Sequence, residues 1–402
     1  MHQQIQMTKS LIRTKRAGYL YEQICDLDNI KRAIWKASEK KRRQRNVRHI
    51  LRRLDHYAEV IRDMLLSQAY VPSEYAYKTI NDGIRQKKRR IAKPRFFPDQ
   101  CIHHALMQVV SPYILKGMYH YNCGSIPERG DKRIRKAIRK RIRKHPDKVK
   151  YVAKMDVHHY YESIDHEVLK ATLARKIKDK RVLWLCGVII DSCPQGIPIG
   201  NYTSQWFCNL LLEDVDHKIK AFLGKDYGYY RYIDDMVLIG PNKRKLHKCR
   251  TMIAQELARK NLTMKHDWQV FRMRSKTTWR KWEAFCRLPN RENWRTYKKS
   301  CRALDFLGCK FYPDGHLELR KSILKRVKRK AKRICKLGSH VNARNAAGMM
   351  AYMGRLHHTD SEMLFRSDIQ PYIGGTIKLR RIISDERKLQ RETEENVVRG
   401  AA

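Results

Sequence analysis

The stretch YGYYRYIDDMVLIG (residues 227–240) sets two adjacent aspartates, Asp234 and Asp235, between arms of aromatic and β-branched residues, with Gly228 and Gly240 outside them. That pattern predicts a β-hairpin whose turn carries the acid pair. Two neighbouring carboxylates among Tyr232, Ile233, Met236, Val237 and Leu238 repel each other and lose hydration, a cost that a divalent cation offsets. Aspartate is also common in ordinary hairpin turns, so the pair alone leaves two readings open.

A third acid tips the balance. Asp156 follows an apolar and basic segment, KVKYVAKMDV (148–157), that alternates as a strand does. An acid on a buried strand is expected only where it is paired or binds metal. Three oxygen-rich side chains holding two hard cations are what in-line phosphoryl transfer requires.

Composition supports a polyanionic partner. Lys and Arg number 88 against 40 Asp and Glu in 402 residues, a formal charge of +48. That excess points to nucleic acid, although a merely basic protein would share it. The cations punctuate the chain in SEKKRRQRNVRHILRR (38–53), RQKKRRIAKPR (85–95), DKRIRKAIRKRIRKHPDK (131–148) and LRKSILKRVKRKAKRICK (319–336). Apolar residues at helical spacing make the last two amphipathic helices, a distribution suited to a groove that follows a phosphate backbone. No apolar run reaches membrane-spanning length and the N-terminus lacks the apolar core of a signal peptide, so a cytoplasmic protein without membrane contact is expected. The 11 cysteines form no CxxC pair and read as reduced packing residues.

Along the chain, 19–69 predicts two or three helices and SEYAYKTI (73–80) a strand. Residues 99–120 predict a helix broken at Pro112, and DHEVLKATLARKI (165–177) a helix capped by Asp165. A further helix is expected over 205–223, ended by Gly224. Strand, helices and hairpin in this order predict an α+β fold, a sheet with helices on one face.

Between the carboxylates lies DSCPQGIPIGNYTSQ (191–205), with two glycines that can anchor one loop. YIDD in a hairpin with DVHHYY upstream resembles the palm of reverse transcriptases, most of which carry QGxxxSP in this loop. Starting at Gln195-Gly196 puts Gly200-Asn201 where Ser-Pro belongs. Starting at Ile199-Gly200 puts Ser204 in place, and the resulting IGxxxSQ is similar to that of the reverse transcriptases of diversity-generating retroelements. Gln195-Gly196 then reads as a decoy upstream. DQCIHHAL (99–106), the helix KIKDKRVLWLCGVIIDS (176–192), the primer-grip-like LDFLGCKFY (304–312) and AYMGRLHHTDSEML (351–364) extend the resemblance from about residue 18 to about 373.

The resemblance implies a right-hand polymerase: a helical N-terminal extension (1–70), fingers and palm (71–316, an antiparallel sheet covered by helices), then a basic helical thumb and tail (317–402). It implies RNA-directed DNA synthesis with two Mg2+ ions, for which Mn2+ can substitute, held by Asp156, Val157, Asp234 and Asp235. Tyr161 matches the bulky gate against a ribose 2′-hydroxyl, with Tyr160 its packing competitor. Ile199, Gly200 and Gln205 contact the nascent base pair. Tyr232, Phe306, Leu307 and Gly308 fall on the template–primer. The segment KKRRIAKPRFFPDQ carries one extra residue, so Arg89 and Arg90 compete for the triphosphate, Arg89 being favoured. Trp268 stands where a lysine is expected after the hairpin, and Lys265 is the substitute.

The partners implied are dNTPs, a template RNA with its RNA/cDNA duplex, and a small basic oligomeric accessory protein. Isoleucine in place of the usual glutamine removes a hydrogen-bonding check, which implies error-prone synthesis; the resemblance implies that the errors concentrate at template adenines. A reverse transcriptase of anti-phage defence or of another retroelement is the enzymatic alternative. A maturase-like RNA-binding protein is the non-catalytic one. Three tryptophans in the basic connector 272–303 suit either base stacking or an auxiliary helix.

Overall fold

The computed structural model describes residues 17–82, 87–273 and 302–399; the connector tryptophans Trp279, Trp282 and Trp294 lie outside the described residues. Four helices come first: α1 (Tyr21–Cys25), α2 (Leu27–Ser38), α3 (Arg45–Arg52) and α4 (Leu54–Leu66). Asp26 caps α2 by accepting from the Asn29 amide at 2.9 Å. Asp179, far along the chain, accepts from the amides of Leu20 and Tyr21 at 3.0 Å each and fixes the start of α1.

A two-stranded antiparallel hairpin follows, β1 (Ala76–Asp82) with β2 (Lys87–Lys93). Helix α5 (Cys101–Leu115) runs through Pro112 rather than breaking there. The proline lies in the last turn, where one missing amide donor is cheap and the buried Ala105, Leu106 and Val110 already hold the helix. Next come α6 (Asp131–Lys144), β3 (Tyr151–Met155), α7 (His166–Ala174) and α8 (Lys180–Asp191). Asp165 caps α7 as expected, accepting from the Val168 amide at 3.0 Å.

The helix expected over 205–223 is two helices, α9 (Tyr202–Leu211) and α10 (Glu213–Leu223), divided at Leu212. Their apolar positions continue in phase across the division, so periodicity alone does not reveal it. Then follow β4 (Gly228–Tyr232), β5 (Asp235–Gly240), α11 (Lys243–Ala258) and β6 (Gln269–Arg272). The central sheet is antiparallel with strand order β4-β5-β3-β6.

Both faces of this sheet are covered, where the sequence suggested one. Ala153, Met155, Tyr229, Met236 and Leu238 enter a large core that runs from Leu20 to Leu262 without a division near residue 70. Val152, Tyr230, Val237, Ile239 and Phe271 enter a second core with the apolar stripe of α6. Strands buried on both sides read as continuous apolar runs, as β5 does. The second core also takes in a small sheet, β7 (Leu304–Phe306), β8 (Cys309–Phe311) and β9 (Leu317–Leu319). It is completed by α12 (Lys321–Leu337), α13 (Ala343–Leu356), α14 (Glu362–Asp368), α15 (Gln370–Ile373) and α16 (Thr376–Arg399). Among the described residues no helix is long and apolar enough to cross a membrane, and the cysteines are free thiols.

Candidate active site

Asp156 leaves the end of β3, Asp234 sits in the β4–β5 turn and Asp235 opens β5. Met155 pairs with Met236 across β3 and β5, so the three carboxylates gather at one end of the sheet. The turn residue Ile233 has φ 59°, a left-handed conformation that a β-branched side chain resists. Arg231 holds it there, donating from Nη1 to the Ile233 carbonyl at 2.8 Å.

Arg231 is itself fully buried, and so is its partner Asp216 on α10. Arg231 Nε and Nη2 meet the two Asp216 oxygens at 2.7 and 2.6 Å. The same guanidinium donates to the Asn209 side chain and carbonyl at 3.3 and 3.1 Å. Asp216 also accepts from the Tyr229 hydroxyl at 2.6 Å. Sequence reasoning passed over this network. Its signal was an arginine inside the apolar run YYRYI and an acid at an inward position of α10.

The carboxylates are electrostatically loaded. Burial, and then the neighbouring Asp156, raise Asp234 to about 7. Burial raises Asp235 to about 6 against the opposing pull of Lys154. Lys265 Nζ donates to Asp156 Oδ2 at 3.0 Å, and Lys154 Nζ lies 4.0 Å from Asp235 Oδ2. Asp156 Oδ1 and Asp235 Oδ1 are buried with no hydrogen-bond partner.

Orphaned hard oxygens and carboxylates held above their ordinary range are the donor chemistry that suits Mg2+. Among the described residues no three His, Cys, Asp or Glu side chains are placed so that together they could hold a metal ion. The uncommitted oxygens of Asp156 and Asp235 suit an ion that would draw its remaining ligands from water and substrate phosphates, the usual habit of Mg2+. Val157 is buried and pairs with Met264, so only its carbonyl oxygen can join such a set.

The competing tyrosines separate. Tyr160 is buried and donates to the Cys208 carbonyl at 2.6 Å, a packing role. Tyr161 is half-buried, and Asp234 and Arg89 are among its electrostatic neighbours. The competing arginines separate as well. Adjacent residues on a strand face opposite ways. Arg90 lies over the Tyr77 ring at 3.6 Å, whereas Arg89 is an electrostatic neighbour of Tyr161.

The loop docks by both of its glycines. The Ala92 amide of β2 donates to the Ile199 carbonyl at 2.8 Å. Gly200, at φ 131°, lies so close that a Cβ would collide with the Ala92 carbonyl oxygen. Three residues before Gly200 the Ile197 amide donates to the Tyr161 carbonyl at 2.8 Å, and Gly196, at φ 64°, abuts that same carbonyl. Ile199, on the segment that leads into α9, is half-buried, and Gln205, in the first turn of α9, is exposed. Asn201 is buried and donates to the Tyr75 hydroxyl at 2.7 Å instead of capping α9.

Tyr232 and Phe306 enter the second core together, Tyr232 half-buried and Phe306 fully so. Leu307 and Gly308 form the two-residue turn between β7 and β8. Lys154 joins this hairpin to the carboxylates, donating to the Asp305 carbonyl at 3.2 Å. Among the described residues the adjacent His103 and His104 belong to no group that could hold a metal ion. His103 is buried and kept neutral by desolvation, its value lowered to about 3, and His104 stacks on Tyr202 at 4.3 Å.

The chain resembles three solved telomerase structures. Apo telomerase from Candida tropicalis, truncated from the C-terminal domain, shares 15% identity over 64% of this chain and 58% of that one, with a TM-score of 0.44. Candida tropicalis telomerase with the TWJ fragment of telomeric RNA shares 13% over 82% and 64%, at 0.47. Candida albicans telomerase with the same kind of fragment shares 12% over 75% and 55%, at 0.44. This chain thus spans between about half and two thirds of those chains. No curated protein matches it. The model of the family "Reverse transcriptase (RNA-dependent DNA polymerase)" matches residues 86–311, more than half of the chain, a span that includes Asp156, the docked loop, the Asp234–Asp235 turn and the β7–β8 hairpin. The chain therefore belongs to the reverse transcriptase family.

Proposed function

We propose that this protein is an RNA-directed DNA polymerase that makes error-prone cDNA from the template-repeat RNA of a diversity-generating retroelement. The observation that carries the polymerase reading is the meeting of Asp156, Asp234 and Asp235 at one sheet end with two oxygens uncommitted. These residues hold Mg2+, which when bound activates the primer 3′-hydroxyl and offsets charge on the triphosphate. Arg89 binds the triphosphate and Tyr161 excludes a 2′-hydroxyl, roles that their shared neighbourhood supports. Lys265 stands in for the lysine that gives a proton to the departing pyrophosphate; its bond to Asp156 keeps it charged beside the carboxylates, and the proton is released only once that bond is broken. Tyr232 and the Phe306–Gly308 turn bear on the primer strand.

The retroelement reading is supported by Ile199. The loop is fixed to the fingers strand at this residue, and its side chain offers shape but no hydrogen bond. A site without polar groups to leave unpaired rejects a near-isostere weakly. A small basic oligomeric accessory protein completes the assembly in this reading.

The test is single-nucleotide incorporation by the wild type, Ile199→Gln and Asp234→Asn on templates that differ only in the copied base. Misincorporation should be highest opposite adenine and fall about tenfold, ~1.4 kcal/mol, in Ile199→Gln. Asp234→Asn should incorporate nothing. Equal error opposite all four bases would remove the mutagenic reading and leave an ordinary polymerase. Incorporation by Asp234→Asn would remove the polymerase site.

A further inference from the structure

Helix α6 (Asp131–Lys144) buries Ile134, Ile138 and Ile142 in the second core, against one face of the central sheet. Its opposite face is a row of four exposed lysines at four-residue spacing: Lys132, Lys136, Lys140 and Lys144. Each step rises ~6 Å and turns ~40°, so the row winds along ~18 Å of helix. A nucleic-acid strand sets a phosphate every ~3.4 Å of axis, so that length spans about five phosphates.

A solvated charged face is the ordinary explanation of such a row, and the rest of the molecule shows what that looks like here. Some partly exposed lysines elsewhere are neutralised, Lys170 by Asp191 at 2.8 Å and Lys218 by Glu256 at 2.6 Å, whereas exposed ones such as Lys178, Lys180, Lys243 and Lys248 lie scattered over other parts of the chain and form no row of four. Among the described residues none of the four α6 lysines is in an ion pair. The acid of the first turn, Asp131, is taken by Arg135 at 3.2 Å. Like charges at four-residue spacing destabilise a helix by a few tenths of a kcal/mol per pair. A polyanion along the row reverses that cost.

The helix is also well placed. Its start lies beside the catalytic hairpin, where Asp131 is an electrostatic neighbour of Tyr232. Its end lies at the base of β4, where Arg141 donates to the Asp226 carbonyl. The row therefore leads away from the carboxylates along the outside of the sheet.

We propose that the Lys132–Lys144 row is a second nucleic-acid site, separate from the carboxylates, that binds the phosphate backbone of an RNA-containing helix. The ligand chemistry is a run of phosphodiesters, supplied either by folded template RNA or by the RNA/DNA product. The inference does not depend on catalysis, since an inactive chain would bind RNA here equally.

The test compares K132Q/K136Q/K140Q/K144Q with K178Q/K180Q/K243Q/K248Q, which removes the same charge from exposed positions on other elements. Binding is measured against salt for a long RNA hairpin and a long RNA/DNA hybrid, and extension for a short primer–template. The α6 variant should lose about tenfold or more in affinity, and its log–log salt slope should flatten by about 3. The matched variant should change little, extension of the short substrate should persist, and Lys→Arg at all four positions should retain binding. Loss on the free hairpin assigns the row to template RNA, and loss on the hybrid alone assigns it to product. Equal small losses in both glutamine variants, or an equal loss on the short primer–template, would overturn the proposal.

Discussion

Arg231→Met is the perturbation that tests how the catalytic turn is held. The substitution leaves the fully buried Asp216 with the Tyr229 hydroxyl as its remaining side-chain donor. It also takes a donor from the Ile233 carbonyl and two from Asn209. Breaking one side of a buried ion pair costs ~3–5 kcal/mol, because the surviving charge is left uncompensated. At a urea slope of ~3 kcal/mol/M the midpoint falls by roughly 1–1.7 M. A loss of that size would reduce activity merely by unfolding the protein, so stability and positioning must be separated.

Arg231→Met combined with Asp216→Asn separates them. The second substitution removes the stranded charge and keeps an acceptor for Tyr229, so the cost should shrink to ~1–3 kcal/mol, the range of unmatched buried polar groups. The Ile233 carbonyl still lacks its donor, and the left-handed Ile233 loses the side-chain bond that opposed its own preference. The double variant should therefore refold well and still extend a primer poorly under conditions in which it is fully folded. The reduction should fall on kcat, with KM for the incoming nucleotide little changed, because the displaced residue is Asp234. Recovery of activity in step with stability would refute the argument and leave Arg231 a core residue only.

Two further outcomes follow from the site. Asp234 at about 7 and Asp235 at about 6 lie above the ~3.9 of an unfolded aspartate, so the folded metal-free protein holds these protons more tightly than the unfolded chain does. Their contribution to stability is full below pH ~4 and is lost as pH rises through about 7; the urea midpoint of the wild type should fall relative to Asp234→Asn over that window, and Mg2+ should reverse the fall in the wild type alone. A flat difference between the two proteins would refute this. Arg89→Ala should raise KM for dNTP about tenfold or more, ~1.4 kcal/mol, while Arg90→Ala, which loses a stack on Tyr77, should leave it near the wild-type value. Equal effects in steady-state extension would place both arginines on the triphosphate.

What the sequence disclosed and what it withheld differ in physical kind. The hairpin and the third acid were legible because strand alternation and an acid in an apolar run are local signals. The division at Leu212 was not, because α9 and α10 keep their apolar positions in phase across it. The sequence favoured Arg89 over Arg90 without a local pattern to divide them; the fold adds that Arg90 stacks on Tyr77 and that Arg89 is an electrostatic neighbour of Tyr161. The loop shows the limit most clearly. Spacing to Ser204 identified Ile199-Gly200 as the working motif and left Gln195-Gly196 looking idle. In the fold the two glycines do different work at the two ends of one bridge. Gly200 lets the loop close onto Ala92 of the fingers strand, and Gly196 lets it close onto Tyr161 beside the carboxylates. Each contact is a backbone bond of 2.8 Å, one from Ala92 to Ile199 and one from Ile197 to Tyr161. If Arg89 binds the nucleotide as proposed, a displacement of β2 would reach Tyr161, an electrostatic neighbour of Asp234, through these two backbone bonds. Gly196→Ala should uncouple the gate from the fingers, while Gly200→Ala should free the fingers from the loop, and only a structure in which both glycines matter predicts a defect for each.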